Sequence, residues 1–302
     1  MSQLTASKPP NLVWQSKAVL LLVVPYAGTG LVLQVHWWGT QAPQVAIWTL
    51  GLSLLLALVV LKLRAATPGG AATGALITAS LMFSTVTFPY QPWQTALPAV
   101  LAVSLLAWSA TKLGRKKKER LGTAESRRGR SAAQIAANLG MAAIACSEVV
   151  QVWLTDSHWF SRGTLVPLLL FAPGLAALAE AAADTVSSEI GQVLGGRPRM
   201  ITTLRLAEPG TDGAITLTGT LAGIAAALLV AGIGTWSLRG HILLFWVSAA
   251  GGVFGLLFDS LLGATIERRG WLNNDAVNFL STASAAGFAL GLMAIFHRLG
   301  VG

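Results

Sequence analysis

Charge is scarce in this chain of 302 residues: only 11% of them are charged, against 54% hydrophobic. A soluble domain of this length rarely has so few charges. Cysteine is nearly absent, and the single Cys146 cannot make an internal disulfide. The four histidines (His36, His158, His241 and His297) show no metal-ligand spacing, which leaves a zinc site without support. No G-x-x-x-x-G-K-[ST] loop occurs, and no G-x-G-x-x-G follows a strand pattern, so neither common nucleotide-binding fingerprint applies. No Ser-His-Asp grouping falls on one side of the chain's expected topology, and no internal repeat is visible. Met1 to Asn11 is polar, and the first apolar stretch lacks a clear cleavage site, so no removable signal is expected.

Long apolar runs are what the chain has instead. Runs of roughly 18 or more residues recur, each long enough to cross a ~30 Å hydrocarbon core as a helix. Nine spans are expected, near 18–35, 43–61, 71–88, 94–111, 132–154, 164–184, 214–236, 240–262 and 276–296. The fold class is therefore all-α, a polytopic membrane protein forming one integral-membrane domain over 1–302. Alternating sides from the N-terminus places eighteen Lys and Arg on one side; only Arg162, Arg239 and Arg298 fall on the other. The positive-inside rule makes the basic side, and the N-terminus, cytoplasmic. The net charge of +9 then needs no nucleic acid partner. The stretch from Lys112 to Arg130 holds nine basic and two acidic residues without apolar periodicity; it reads as a solvated loop touching anionic headgroups. Trp37, Trp38, Trp93, Trp159 and Trp271 flank spans, where indole rings favour the headgroup region. A bacterial plasma membrane is the expected location.

A carboxylate within a span costs about 2.5–3.5 kcal/mol on insertion scales, so it usually faces a cavity or a partner. Glu148, Glu180, Asp184 and Asp259 are of this kind. Glu180, Asp184 and Ser188 are spaced i, i+4, i+8 and share a helix face. Glu189 lies about 140° round from Asp184 and joins them only if the helix ends near Gly191. Asp184, Glu189 and Asp259 then converge at one cytoplasmic mouth, where clustered carboxylates suit Mg²⁺. Ion pairing with Arg197, Arg199 or Arg205 is the alternative. Glu148 lies toward the outer end, apart from this cluster.

The loop GQVLGGRPRMITTLRLAEPGTDGAITLTGT supplies glycines, which let backbone N–H groups approach an anion, and arginines, whose forks match phosphate oxygens. An ordinary basic loop would look similar. Asn273, Asn274 and Asp275 open the last span, and Asn278 follows Asn274 at i+4; asparagine at a helix start is often only a cap. Gln134 and Asn138 form a similar pair near the start of span five.

RSAAQIAANLG, AAADTVSSEIG, PRMITTLR, EPGTDGAITLTGTLAG, FDSLLGATIERRG and LNNDAVNFLST stand in order between 130 and 282. Together they resemble the integral-membrane family catalogued as domain of unknown function 92, over roughly residues 50–300. That family includes transmembrane protein 19 and the phytyl-phosphate kinases of plants and cyanobacteria. The resemblance implies phosphoryl transfer from CTP or ATP to an isoprenyl monophosphate. Matching positions are Arg130, Gln134, Asn138, Asp184, Thr185, Ser188, Glu189, Arg199, Thr202, Thr203, Arg205, Gly210, Thr211, Asp212, Gly213, Asp259, Ser260, Asn273, Asn274 and Asn278. Val186 stands where the family usually has a bulky residue. On this reading Asp184 and Asp259, with Glu189 as a third candidate, hold Mg²⁺ on the triphosphate. Arg199, Arg205, Thr202 and Thr203 bind phosphate oxygens, and Asn273, Asn274 and Asn278 orient the acceptor phosphate or the base. The lipid tail lies among the apolar spans. Two other functions would draw on the same residues: a transporter or scramblase of polyprenyl phosphates, and a cytidylyltransferase forming a CDP-linked lipid. A transporter site is expected near the midplane, whereas these polar residues gather at one mouth.

Overall fold

The computed structural model describes residues 12–156 and 167–299. Lys8, His158, Trp159, Arg162 and the first residues of the sixth expected span lie outside them. Eleven α-helices are present among the described residues: α1 (Val13–Gln41), α2 (Pro43–Lys62), α3 (Pro68–Ser84), α4 (Leu97–Lys112), α5 (Arg115–Leu121), α6 (Ala132–Cys146), α7 (Glu148–Asp156), α8 (Ala172–Leu194), α9 (Leu217–Ser237), α10 (Ile242–Leu262) and α11 (Asn274–Arg298). The strands are β1 (Arg199–Met200) and β2 (Ala214–Ile215), paired antiparallel. The all-α membrane architecture is as expected.

Every expected span has a helix, but the boundaries differ in ways that matter. Six helical segments are long and apolar enough to cross a bilayer, and two bent pairs bring the number to eight. In those pairs α4 meets α5 at 66° and α6 meets α7 at 46°. The third expected span, α3, is the one outside this number: it has 17 residues, about 25 Å of helix at 1.5 Å per residue. The expected straight fifth span breaks at Ser147, whose backbone is extended. Its hydroxyl donates to Ile144 O (2.7 Å) and pairs with the Tyr26 hydroxyl (2.6 Å), which fixes the bend. Glu148 then opens α7, where a helix N-terminus favours a carboxylate, and it accepts from Gln34 Nε2 at 3.3 Å. The basic stretch 112–130 is not wholly irregular, since α5 lies within it.

The sixth expected span stops at 184, whereas α8 continues to Leu194. Gly191 therefore does not end the helix. It lets α9 approach instead: a Cβ there would lie 3.0 Å from Thr216 Oγ1. Asp184 is mid-helix as a result, and α8 is the most deeply buried of the candidate spans. Its buried faces are rich in small residues, among them Gly174, Ala176, Ala179 and Ala183. Small residues allow close helix approach where no hydrophobic effect drives association. Gly255 on α10 shows how close: a Cβ there would sit 2.5 Å from Glu180 Cγ and 2.8 Å from Ala285 Cβ. The helices α4, α6, α9, α10 and α11 surround α8. Outward faces of α1 and α2 expose Leu21, Leu33, Leu54 and Leu58, as a lipid-facing surface requires.

Candidate functional site

The end of the bundle bearing Lys62 and Lys112 holds the polar residues. One wall of the site starts at Gly129. Its φ is +80°, and a Cβ there would sit 2.5 Å from Ala65 C and Ala66 N. Glycine is thus required twice, for the left-handed backbone and for the close approach. The next residue, Arg130, pairs with the segment before α3. Its N–H donates to Ala65 O and its carbonyl accepts from Thr67 N, both at 2.9 Å. Ser131 and Gln134 then form a capping box that starts α6. Arg130, Gln134 and Asn138 follow one another up a single face and line the same cavity. Gly129→Ala is expected to lower the melting temperature by several degrees and to cut any site activity. A thermal scan that matches the parent protein would refute this placement of Arg130.

The facing wall is α8, with Asp184, Thr185, Ser187 and Ser188. Arg130 Nη2 donates to Thr185 Oγ1 at 3.3 Å and stands beside Asp184. Asp259 on α10 lies within hydrogen-bonding reach of Asp184. Two carboxyls in such contact hold a proton or a cation between them. Ser281 on α11 lies beside both Asp259 and Glu180, but its proton goes to Asn278 O at 3.0 Å. Asp259 Oδ2 and Glu180 Oε1 are left buried without a hydrogen-bond partner. A buried, unsatisfied carboxylate oxygen is costly, and such groups gather where a ligand completes them.

The loop after α8 closes the rim. Gly213 has φ +72°, and a Cβ there would sit 2.1 Å from Ala264 N. That contact seats the loop on Gly263–Glu267, a π-helical turn following α10. Such turns are frequent at functional sites. Thr211 and Asp212 reach the cavity this way, opposite Glu267. Burial raises the Asp212 carboxyl above its ordinary range, and Arg268 beside it opposes the shift. Asn274 and Asn278 complete the lining from α11. The whole cavity has about 1340 Å³ of open volume.

Of the residues singled out from sequence, Asp184, Glu189, Asp259, Thr211, Asp212, Asn274, Asn278 and Asn138 line this cavity, whereas Arg199, Thr202, Thr203, Arg205 and Asn273 do not. Thr202, Thr203 and Arg205 stand exposed on a tight turn between β1 and β2. The exposed Arg199 guanidinium donates to Leu204 O at 2.8 Å. The turn is closed by Met200 N donating to Arg205 O at 2.9 Å and Leu204 N donating to Met200 O at 2.8 Å. Asn273 is a cap: its Oδ1 accepts from Ala276 N at 2.9 Å, and its Nδ2 donates to Leu12 O and Ser16 Oγ on the α1 side. Asn273 therefore ties α11 to α1.

Glu189 lines the cavity edge, but its carboxylate is already engaged. It accepts from Thr111 Oγ1 at 3.0 Å and pairs with the buried ammonium of Lys118. Because α8 stays helical, Glu189 keeps its 140° offset from Asp184 and faces α4 and α5. The three carboxylates expected to share one cation do not converge. Among the described residues no group of three or more His, Cys, Asp or Glu side chains is arranged to hold a metal. Two carboxylates with free oxygen valence do meet, at Asp184 and Asp259. That donor set fits Mg²⁺, which takes one or two carboxylates, waters and substrate phosphates. The Arg197–Arg205 arginines make no ion pair with either carboxylate. Glu125, Gln192, Thr216 and Glu267 also line the cavity and were not singled out. Gln192, Thr216 and Glu267 stand within the quoted motifs, but only the packing of distant segments shows that they reach the cavity.

The sequence pattern of the integral membrane protein DUF92 family matches residues 51–286. The chain belongs to this family. It is an integral membrane protein. An uncharacterized membrane protein of Methanocaldococcus jannaschii is 47% identical over 108 residues, which is 36% of this chain and 45% of that protein. An uncharacterized membrane protein of Synechocystis is 30% identical over 65% of this chain and 72% of its own length. Protein VTE6, chloroplastic, of Arabidopsis thaliana is 30% identical over 60% of this chain and 54% of its own length. The chain thus spans about half the length of two of these three relatives. No solved structure matches.

Proposed function

We propose that this protein is a membrane-embedded kinase transferring a phosphoryl group from a nucleoside triphosphate, CTP or ATP, to an isoprenyl monophosphate such as phytyl phosphate. One observation carries the reading. The half-buried Asp184–Asp259 pair faces Arg130 across a polar cavity in the basic end of an otherwise apolar bundle. By the positive-inside rule that end faces the cytoplasm, where nucleotide is found. The family resemblance to phytyl-phosphate kinases points the same way.

Phosphoryl transfer depends mostly on positioning and charge neutralisation. Asp184 and Asp259 would hold Mg²⁺, which when bound neutralises charge on the triphosphate oxygens. Arg130 is fixed by its backbone pairing and offers a forked donor to a phosphate. The N–H groups around Gly210–Gly213 and the Thr211 hydroxyl would line the nucleotide. Asn138, Asn274 and Asn278 supply neutral amides to orient phosphate or base. The acceptor is already an anion at neutral pH, so the site needs no strong base.

The test is an assay of purified protein in detergent with Mg²⁺, γ-labelled CTP or ATP, and phytyl or farnesyl monophosphate. Labelled lipid diphosphate with free CDP or ADP supports the kinase reading. Released pyrophosphate would show cytidylyl transfer instead, and no transfer from folded protein would overturn it. Arg130→Lys is expected to lower turnover about 10–100-fold, the equivalent of the ~1.5–3 kcal/mol of a hydrogen bond to a charged group. Arg205→Ala and Thr202→Ala, on the exposed turn, are expected to cost less than Arg130→Lys. The reverse ranking would move the phosphate site onto that turn.

A further inference from the structure

A second cavity lies beside the first, and its chemistry is the opposite. Thr85 Oγ1 accepts from Ala96 N at 2.9 Å, which joins α3 to α4 at the outer end. From there the two helices scarcely touch: α3 packs on α2 and α6, while α4 packs on α8 and α9. The cleft between them is an open cavity that, counted with the solvent space at its mouth, holds about 960 Å³. Its walls are apolar, built from residues such as Leu56, Val60, Ala71, Val100, Val103 and Leu139. Its mouth is basic, with Arg64, Lys112, Arg115 and Arg130. Arg64 and Lys112 make no ion pair among the described residues. Trp108 lines the same cavity, and its buried indole Nε1 has no hydrogen-bond partner.

The two cavities share Glu125, Arg130 and Asn138 as a common wall. Arg115 is engaged by Glu119 at 3.2 Å, so Arg64 and Lys112 are the unpaired cations of the rim. An apolar slot with such a rim matches a molecule with one hydrocarbon chain and one anionic head. A phosphate monoester carries about 1.5 to 2 negative charges at neutral pH and offers three acceptor oxygens. Arginine forks suit such a head better than any neutral group. We propose that the α2–α3–α4 cleft is the tail site of a single-chain lipid monophosphate, whose phosphate rests on Arg130 at the wall facing the Asp184–Asp259 cavity. The isoprenoid identity of the chain rests on the kinase reading; the single chain and the phosphate rest on the cavity itself. Arg64, Lys112 and Trp108 become headgroup-binding residues that sequence motifs did not indicate.

The test measures binding without nucleotide. Labelled farnesyl monophosphate is titrated into purified protein in detergent, with inorganic phosphate and dioleoyl phosphatidic acid as competitors. Gly74 lines the cleft, and a Cβ there meets nothing nearer than Ile135 Cγ2 at 3.8 Å. Gly74→Leu should therefore fill the slot without displacing backbone. It is expected to weaken farnesyl phosphate binding at least about tenfold, with ATP or CTP binding changed less than about twofold. Arg64→Ala and Lys112→Ala alter exposed side chains, so folding is not at risk. Together they should weaken the lipid phosphate several-fold and leave farnesol binding unchanged. Unaltered binding in both the filled-slot and the mouth variants would overturn the proposal. So would competition by inorganic phosphate or two-chain phosphatidic acid as strong as by farnesyl phosphate itself. Binding that obeys these expectations without any phosphoryl transfer would sustain the tail site and sink the kinase reading. Transfer that survives in Gly74→Leu would do the reverse.

Discussion

Asp259→Asn is expected to reduce phosphoryl transfer about 100-fold or more while leaving the melting temperature unchanged or higher. The two effects have one cause. Asp259 Oδ2 is buried without a partner, and its carboxyl meets that of Asp184 inside the bundle. Both features cost stability, and evolution retains such strain where a ligand relieves it. Asparagine removes a charge that the interior tolerates poorly, and its amide can donate to Asp184. It also removes an anionic oxygen from the pair that would accompany the triphosphate. Preorganised groups facing developing charge are commonly worth about 10²–10³ in turnover. Asp184→Asn should behave alike, and the double variant should be little worse than either single one, because the pair acts as a unit. The measurement is labelled diphosphate formation alongside a thermal scan in the same detergent. Full transfer by folded Asp259→Asn protein would remove the pair from the chemistry.

Lys118→Met is expected to destabilise the protein by about 3–5 kcal/mol, the cost of removing one partner from a buried ion pair. Lys118 is 1% exposed. All three of its N–H groups are used: Ala110 O at 3.0 Å, Thr111 O at 2.9 Å and the Glu189 carboxylate. The two carbonyls are among the last of α4 and have no partner within that helix. One ammonium thus caps α4, anchors α5 and neutralises a carboxylate of α8. Glu189→Gln keeps an oxygen to accept from Lys118 and removes only the charge. Its transfer rate should stay within about threefold of the parent, unlike Asp184→Asn, because a positioning residue is not a reacting one. Denaturant titration measures the first effect and the assay above the second. A Glu189→Gln rate as low as that of Asp184→Asn would return Glu189 to the metal site.

Helix content, membrane character and the face shared by Glu180, Asp184 and Ser188 were legible in the sequence, because each depends on local pattern alone. Apolar run length signals a span, and i, i+4 spacing signals a face. The capping-box residues Ser131 and Gln134 are equally local. Asn138, Asp259, Asn274 and Asn278, named from the motifs, line the cavity. Span ends were less legible: Gly191 reads as a terminator until α9 is seen packed against it. Arg199, Thr202, Thr203 and Arg205 looked like an anion site by composition, but they stand exposed at a turn closed by the Arg199–Leu206 bridge, outside the cavity. Glu189 looked like a metal ligand until Lys118, 71 residues away in sequence, was found against it.

The amino-acid sequence by itself determined that this protein is a helical membrane bundle with carboxylates in its spans and basic residues gathered at one end. Tertiary structure alone decided which carboxylates meet, which arginine faces them, and that a polar and an apolar cavity share a wall at Arg130 and Asn138. The reason is that helical periodicity fixes directions within one element, whereas a site is made where several elements converge. That convergence depends on small-residue contacts such as Gly129 on Ala65 and Gly255 on Glu180, whose partners lie far along the chain.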